Sequence, residues 1–519
     1  MNTSMDKETI RRKAVKGRKQ RKKIQRRHRQ KVKEQGMERK SHTSRPNRTS
    51  SYQTVDEEKE ARTEAVIEHA RLIRRELPVL LERLSEIPDP RNPKLISHTM
   101  TCLLVYGILM FVLQTGSRRK SNEQLSAPEM FKNLGELFPD LQSIPHHDTL
   151  YRFLSRIDVQ KIEEAQIQLV GSLIVNKKLS DYRREGRYVI AIDGTQKLVS
   201  YQPIGEQWLQ REVGSEKSKR TQYYVGVLEA NLVLTNGLTI PLMSEFLDRE
   251  KGDTDAQKQD CEQRAFMRLS QRLKKALKRL PIVLVLDGLY PTGPVMRRCK
   301  DYHWDFMIVL KDNSLPYAWE EYKGLSRLEG EKNRLSVRWN GKEQRFQWVN
   351  DIEYRFGKTG GSGVTFHVVV CQESWEEIDE NREVVVMRKR FAWISDKPLE
   401  KDTVHERCNL IGRRRWGIEE SFQVEKRQGY NYEHRYSENW NAMRGYHYLM
   451  RIGHLLNVLA QLCVSLVETF RQKGPQGFIG FVRSTLEGAW FQGVELTERL
   501  AAPYQLRLVY DPPASPLIL

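Results

Sequence analysis

The chain has 519 residues, of which 39% are apolar and 30% charged, so it can form several folded domains and is not a disordered protein. Its net charge of +20 favours an anionic partner. Six dispersed cysteines without a CxxC pair argue against a zinc ribbon or a disulfide scaffold. The longest apolar run, "MTCLLVYGILMFVLQT", is shorter than the roughly 20 residues that span a bilayer. We therefore expect no membrane contact, no signal peptide and a cytoplasmic location.

Most of the positive charge lies at the start of the chain. Residues 1–50 contain 19 Lys or Arg against 4 Asp or Glu, so this segment carries +15 of the net +20. Its stretch "RRKAVKGRKQRKKIQRRHRQKVK" contains no acid, and such a run does not fold alone but binds phosphates by releasing counterions. We predict a disordered basic tail over residues 1–54 that binds nucleic acid. The alternative is a solvated tail without a specific partner.

The next part of the chain has the apolar spacing of helices. Two segments, "EEKEARTEAVIEHARLIRRELPVLLERLSEI" and "DTLYRFLSRIDVQKIEEAQIQLVGSLIV", predict a helical N-terminal domain over residues 55–180, which could dock on DNA. His146 and His147 precede the second segment and could form a metal pair. Adjacent side chains on a helix point apart, so we favour a capping loop in which Asp148 is the N-cap.

From Arg187 the apolar pattern becomes that of strands. "RYVIAIDGT", "YYVGVLEANLVL" and "LTIPLMSEFL" are rich in β-branched and aromatic residues, and a "TNG" turn joins the last two. An amphipathic helix is predicted from about Asp255 to Leu280, followed by the strand "PIVLVLDG", a helix from about Pro294 and the strand "WDFMIVLK". This order predicts a mixed α/β sheet with helices on its faces over residues 181–319.

Residues 320–398 interrupt the alternation with several strands and Asn-Gly or Gly-Gly turns, which predict a β-strand insertion. Trp339 and Trp348 lie in this insertion beside arginines. They could stack on unstacked bases, although packing inside a sheet is the commoner role of such side chains. The chain is helical again over residues 399–470, and residues 471–519 form a C-terminal segment.

Two aspartates each follow an apolar run and precede a glycine: Asp193 in "VIAIDGTQKL" and Asp287 in "IVLVLDGLYP". A single Asp-Gly turn is a common structural feature. Two of them at the ends of buried strands could instead supply the carboxylate oxygens that Mg²⁺ prefers. Phosphodiester chemistry often uses two such ions about 3.5–4 Å apart, one on the attacking oxygen and one on the leaving oxygen.

A third carboxylate, Glu419, lies in "GRRRWGIEESFQVEK". Arg415 precedes it by four residues and Lys426 follows it by seven, so on a helix all three share one face. This face could hold a metal ion and bind phosphate oxygens, or it could be a surface ion-pair ladder. Ile418 and Phe422 flank Glu419, so the acid lies at an apolar boundary.

These features resemble the DDE transposases of bacterial insertion sequences, in the branch with a β insertion and the signature Tyr-x2-Arg-x3-Glu-x6-Lys. Arg415, Glu419 and Lys426 match the signature, whereas Gly412 stands at the position of the tyrosine. The segments "KQDCEQRAF" and "YEHRYSENWNAMRGYHYL" are also similar to such transposases, and the resemblance covers roughly residues 187–470.

The resemblance implies an RNase H-like core with Asp193, Asp287 and Glu419 as the catalytic metal ligands, and with Arg415 and Lys426 as ligands of DNA phosphates. It implies two Mg²⁺ ions, for which Mn²⁺ can substitute. The implied reaction is cut-and-paste transposition, in which DNA is cleaved and joined at insertion-sequence ends by a nucleoid-associated homodimer. Its partners would be double-stranded terminal inverted repeats and target DNA. An RNase H-like structure-selective nuclease and a non-catalytic DNA-binding protein derived from a transposase remain alternatives.

Overall fold

The computed structural model describes residues 50–216, 218–248, 258–328, 332–357, 361–378, 384–490, 493–510 and 517–518. The predicted basic tail therefore lies almost entirely outside the described residues. By internal contacts the chain divides into a small unit, Met1–Glu58 with Ser374–Arg388, and a large unit, Lys59–Glu373 with Lys389–Leu519. All the sites discussed below lie in the large unit.

The region before the sheet is helical, as predicted. Its helices are α1 (Val55–Leu84), α2 (Met100–Val112), α3 (Arg118–Leu125), α4 (Pro128–Leu137), α5 (His147–Leu154) and α6 (Gln160–Val175). Helix α2 is the long apolar run, and every residue from Cys102 to Val112 is buried. Among the residues that the structure describes, no helix combines the length and the apolar character needed to cross a bilayer.

The cap of α5 differs from the prediction. The helix begins at His147, so its N-cap is His146, whose Nδ1 accepts a hydrogen bond from the backbone N–H of Asp148 at 3.3 Å. The prediction that Asp148 is the cap was therefore wrong by two positions, because an imidazole nitrogen takes the acceptor role.

The described strands form one mixed sheet of eleven strands, which confirms the predicted mixed α/β class. They are β1 (Tyr188–Ser200), β2 (Leu209–Val213), β3 (Arg220–Val233), β4 (Thr239–Phe246), β5 (Ile282–Leu286), β6 (Asp305–Val309), β7 (Arg334–Trp339), β8 (Lys342–Phe356), β9 (Ser362–Ile378), β10 (Val384–Ser395) and β11 (Leu517–Ile518). The order is β11-β7-β8-β9-β10-β6-β5-β1-β3-β2, with β4 paired to β3. Strands β1, β5 and β6 are parallel neighbours, and β3 runs antiparallel to β1.

The strands between residues 320 and 398 extend this same sheet. Strand β10 pairs antiparallel with β6 through Trp393 and Val309, so β7 to β10 continue outward from the parallel centre. The helix α9 (Pro316–Leu328) precedes them.

The remaining helices include those predicted after residue 187 and one that was not predicted, Pro316–Leu328, which overlaps the start of the predicted β insertion. They are α7 (Lys258–Leu277), α8 (Gly293–Asp301), α9 (Pro316–Leu328), α10 (Trp416–Arg427), α11 (Trp440–Leu462), α12 (Val467–Lys473), α13 (Pro475–Leu486) and α14 (Gly493–Ala501). Phe266, Leu269 and Leu273 are buried on the predicted apolar face of α7. One π-helical turn, Glu406–Ile411, and one 3-10 turn, Gly412–Arg415, lead directly into α10.

Candidate active site

Asp193 and Asp287 occupy equivalent places, each directly after the last paired residue of two parallel strands. The register of β1 and β5 pairs Ile192 with Leu286, the residues directly before the two aspartates, so both carboxylates lie at the same level of the sheet. Strand β5 ends at Leu286, as predicted. Strand β1 instead continues to Ser200, because it still pairs with β3 after its pairing with β5 stops. The prediction that Asp193 ends its strand was therefore wrong, although the parallel pairing does end there.

The Asp193 carboxylate is held by one backbone donor and one arginine. The N–H of Gly194 donates to Oδ1 at 2.9 Å, and Nη1 of Arg415 donates to Oδ2 at 3.1 Å. Burial raises the pKa of Asp193 to about 7; Arg415 opposes this rise, and the negative charges of Asp287 and Glu419 add to it. Asp287 and Glu419 are therefore both close enough to Asp193 for their charges to repel its carboxylate.

Asp287 lies in the turn that follows β5. Its Oδ1 accepts from the backbone N–H of Leu289 at 2.8 Å, and its Oδ2 pairs with Nζ of Lys311 at 3.1 Å. A Cβ at Gly288 would lie 2.5 Å from Cγ of Lys311, so only glycine lets this lysine side chain pass the turn. Sequence reasoning missed Lys311, because nothing in the sequence pairs it with an acid 24 residues earlier.

Glu419 reaches Asp193 through Arg415. Nη2 of Arg415 lies 2.8 Å from Oε1 of Glu419, so the guanidinium bridges a carboxylate on α10 and a carboxylate on β1. Arg415 is only 7% exposed, and Ile418 and Phe422 pack α10 onto the core. A surface ladder requires solvated charges, so this alternative does not describe Arg415.

Lys426 lies on the same side of α10, further along β1. Its Nζ donates to the backbone oxygen of Gln196 at 3.3 Å and pairs with Glu433 at 3.0 Å. Arg415 and Lys426 therefore both contact β1, as a common face of the helix requires.

Gly412, where the signature named above has a tyrosine, is closely surrounded, and a larger side chain would displace its neighbours. A Cβ there would lie 3.0 Å from Nε1 of Trp393 and 3.3 Å from both the backbone oxygen of Arg407 and Cε of Met307. The indole of Trp393, which is 2% exposed, fills the space beside this turn.

A buried charge network fixes α10 through Glu425, which lies beyond Glu419 on the same helix. Nη1 of Arg451 donates to Glu425 of α10 at 2.9 Å, and Nη2 lies 3.3 Å from Glu229 of β3. Nδ1 of His454 lies 2.7 Å from Glu425. Burial alone would raise the pKa of Glu229, but the charge of Arg451 and the contact with His447 lower this pKa to about 2. Both glutamates are therefore charged and paired, which locks α10, α11 and β3 together.

The two tryptophans of the predicted insertion lie in different surroundings. Trp348 is 2% exposed and packs in the core beside the sheet. In this position its ring cannot stack on a base unless the surrounding residues rearrange. Trp339 is half-buried at the end of β7, with its ring edge against His405 at 5.6 Å between centroids. Trp416, at the start of α10, is 54% exposed and carries the Arg415 guanidinium 5.0 Å from its ring centre. Sequence reasoning did not single it out.

The predicted triad is wider than a site for one ion. Among the described residues, one group of three side chains of the types that bind metals has all its ligand atoms within 4.8 Å of one another. This group is His146, His147 and Asp148. The Asp193, Asp287 and Glu419 carboxylates are further apart because Arg415 stands between two of them. Acids shared by two ions about 3.5–4 Å apart need such a wider arrangement.

Comparison with known proteins identifies the family. Residues 184–456 match the family described as Transposase DDE domain, and residues 81–170 match a domain described as DDE_Tnp_1-associated. No curated protein matches the chain in sequence. Among solved structures, a piggyBac transposase synaptic complex with hairpin DNA is 12% identical over 83% of this chain and 82% of that chain, with a TM-score of 0.34, a likeness too distant to define the path of the chain. Because the Transposase DDE domain match covers more than half of its length, the chain belongs to the DDE-type transposase family.

Proposed function

We propose that this protein cuts and joins DNA at the ends of a bacterial insertion sequence by the cut-and-paste route, with Asp193, Asp287 and Glu419 as its catalytic metal ligands. The observation that carries the proposal is the meeting of the three acids. The parallel register aligns the two aspartates, and Arg415 ties Glu419 to Asp193. In this proposal β1 and β3 to β6 form an RNase H-like core over residues 181–319 and 399–470, and residues 320–398 are its insertion.

The acids suit two divalent cations. Burial and two neighbouring negative charges raise the pKa of Asp193, and a cation between the carboxylates would relieve that repulsion. Carboxylate oxygens are the ligands that Mg²⁺ and Mn²⁺ prefer, and β1, β5 and α10 are rigid elements that hold them. When bound, two such ions would lower the pKa of a water molecule or a 3′-hydroxyl and neutralise charge on the leaving oxygen.

Arg415 and Lys426 would bind DNA phosphates beside these acids. In the structure the planar fork of Arg415 binds two carboxylates, and phosphate oxygens are acceptors of the same kind. Lys426 offers a point charge further along β1, where its Nζ contacts the backbone oxygen of Gln196. The side chains of Arg415 and Lys426 would therefore align the DNA backbone along β1, with the cleaved phosphodiester bond beside the three acids.

The other regions would supply binding to long DNA. The basic tail over residues 1–54 would add affinity for any duplex, and the helical domain over residues 55–180 would dock on the terminal inverted repeat. Two protomers would join on the DNA so that both element ends and the target are held together.

Three isosteric variants test the proposal: Asp193→Asn, Asp287→Asn and Glu419→Gln. Each should reduce Mg²⁺-dependent cleavage of a duplex carrying the element's end to background, because each removes a ligand charge. DNA binding should be nearly unchanged. The matched control is Glu420→Gln, which changes an exposed acid next to Glu419. Cleavage at a tenth of the normal rate or more in any of the three would remove that residue from the site.

A second assay separates a transposase from a nuclease on the same fold. The wild-type protein is given a pre-cut element end and a supercoiled target plasmid. Joined products support the proposal, whereas efficient cleavage without any joining would assign the chain to the nuclease class.

A further inference from the structure

A fourth carboxylate, that of Glu262 on α7, lies against the backbone next to Asp193. A methyl group on Gly194 would lie 3.3 Å from the carboxyl carbon of Glu262 and 3.4 Å from each of its two oxygens. Because Gly194 directly follows Asp193 on β1, this carboxylate lies beside the predicted triad. Because Gly194 has no side chain, the carboxylate of Glu262 can lie against the backbone at this position.

Helix α7 is fixed at this place by contacts with the turn that carries Asp287. Phe266, one turn after the glutamate, is fully buried, and its ring lies 5.4 Å from that of Tyr290. The N–H of Tyr290 donates to the backbone oxygen of Asp287 at 3.2 Å. Nε2 of Gln263 lies 3.5 Å from the backbone oxygen of Leu289 in the same turn. This part of α7, Glu262 to Phe266, is therefore held against the loop that positions the second aspartate.

The hydroxyl of Tyr290 also points into this cluster. The Tyr290 side chain is fully buried, and within the described residues its hydroxyl has no hydrogen-bond partner. Burial raises the pKa of Tyr290 well above its ordinary value, and the charges of Glu262, Asp193 and Asp287 raise it further. A buried hydroxyl needs an acceptor, and a water molecule held between these carboxylates and a cation would be one.

We propose that Glu262 belongs to the metal centre and holds one of its two divalent cations together with Asp193 and Asp287. This inference rests on the proposed function, since it adds a ligand to the same site. With Glu262 the centre has four carboxylates, whose charge equals that of two divalent cations. The competing explanation is structural, because an acid near the N-terminus of a helix also interacts favourably with the helix dipole.

Metal binding separates the two explanations without reference to catalysis. Mn²⁺ affinity of the purified full-length protein is measured from the electron paramagnetic resonance signal of free Mn²⁺. The proteins compared are the wild type, Glu262→Gln, Glu262→Asp, Asp193→Asn and the control Glu420→Gln, with melting curves to establish folding. We expect Glu262→Gln to weaken Mn²⁺ binding about 10–100-fold, by analogy with the loss of groups that support a metal site. Glu262→Asp should recover part of this loss, and Glu420→Gln should bind as the wild type does.

The outcomes distinguish failure of this inference from failure of the proposed function. If Glu262→Gln binds Mn²⁺ as tightly as the wild type while Asp193→Asn does not, Glu262 is no ligand and the triad stands. If Asp193→Asn also binds Mn²⁺ like the wild type, the metal centre itself is misassigned and both ideas fail. If Glu262→Gln is unstable, Gly194→Ala replaces it. This variant retains every acid but crowds the glutamate, and an unchanged Mn²⁺ affinity for it would overturn the inference.

Discussion

The charge on Asp193 should destabilise the protein when no divalent metal is present, so Asp193→Asn should be more stable than the wild type. The pKa of Asp193 rises from 3.8 to about 7 on folding. The folded state therefore favours the protonated form of Asp193. The favourable contribution of this group to the free energy of unfolding is complete below about pH 4 and is lost as the pH rises through about 7. The pKa difference corresponds to about 4 kcal/mol above pH 7. Because the side chain is 19% exposed and Asn still accepts hydrogen bonds, we expect about half of this, or about 2 kcal/mol.

The assay is thermal unfolding at pH 8 in the presence of a chelator and then in Mn²⁺. Without metal, Asp193→Asn should melt roughly 2–4 °C above the wild type. In Mn²⁺ at about 100 times its dissociation constant, the wild type should gain about 2.7 kcal/mol and the variant much less, so the order reverses. The exposed aspartate variant Asp140→Asn controls for loss of a carboxylate in general. A lower melting temperature for Asp193→Asn in chelator, or an equal gain in Mn²⁺, would refute the reasoning.

Three further predictions concern Arg415, the buried network around Arg451 and the basic tail. Arg415→Lys should slow single-turnover cleavage about 10²–10³-fold, because a point charge does not reproduce two parallel hydrogen bonds to phosphate; an unchanged rate would return Arg415 to a structural role. Arg451→Met should lower the free energy of unfolding by about 3–5 kcal/mol in denaturant titrations, since it removes the positive charge that both buried glutamates contact; a loss below about 1 kcal/mol would contradict the network. Deleting residues 1–50 should reduce the slope of log affinity against log salt by about 0.9 for each lost phosphate contact while the preference for element ends survives. Lost preference with full affinity would show that the tail reads sequence.

The sequence predicted the parts of the fold that follow from local pattern. Apolar runs with β-branched residues predicted β1 and β5, and the apolar face of α7 predicted the helix between β4 and β5. The aspartates were found because each follows an apolar run and precedes a glycine; the parallel pairing of β1 and β5 then makes them neighbours. Strand length was less predictable: β1 passes Asp193 because its partner on the other side, β3, is longer than β5.

Contacts between distant segments were not predictable from spacing. The sequence placed Arg415 and Glu419 on one helix face, but it did not show that the arginine also binds Asp193, 222 residues earlier. It showed Gly412 in place of a tyrosine without showing that Trp393 fills the adjacent space. Glu262 lies within the residues that match the Transposase DDE domain, yet only the close approach to Gly194 gives its carboxylate a location.

The site combines two kinds of buried charge, and their difference suggests a division of roles along α10. Glu425 is deeply buried, but Arg451 and His454 bind it and lower its pKa, so this half of the helix is held in one position. Glu419, less than two turns earlier, repels the carboxylate of Asp193, whose pKa is raised chiefly by burial and lowered by Arg415. A helix that was loose would relieve this repulsion by moving away from β1. The paired network prevents that movement, so the repulsion remains available to be relieved by a cation, and metal binding becomes favourable without a large rearrangement.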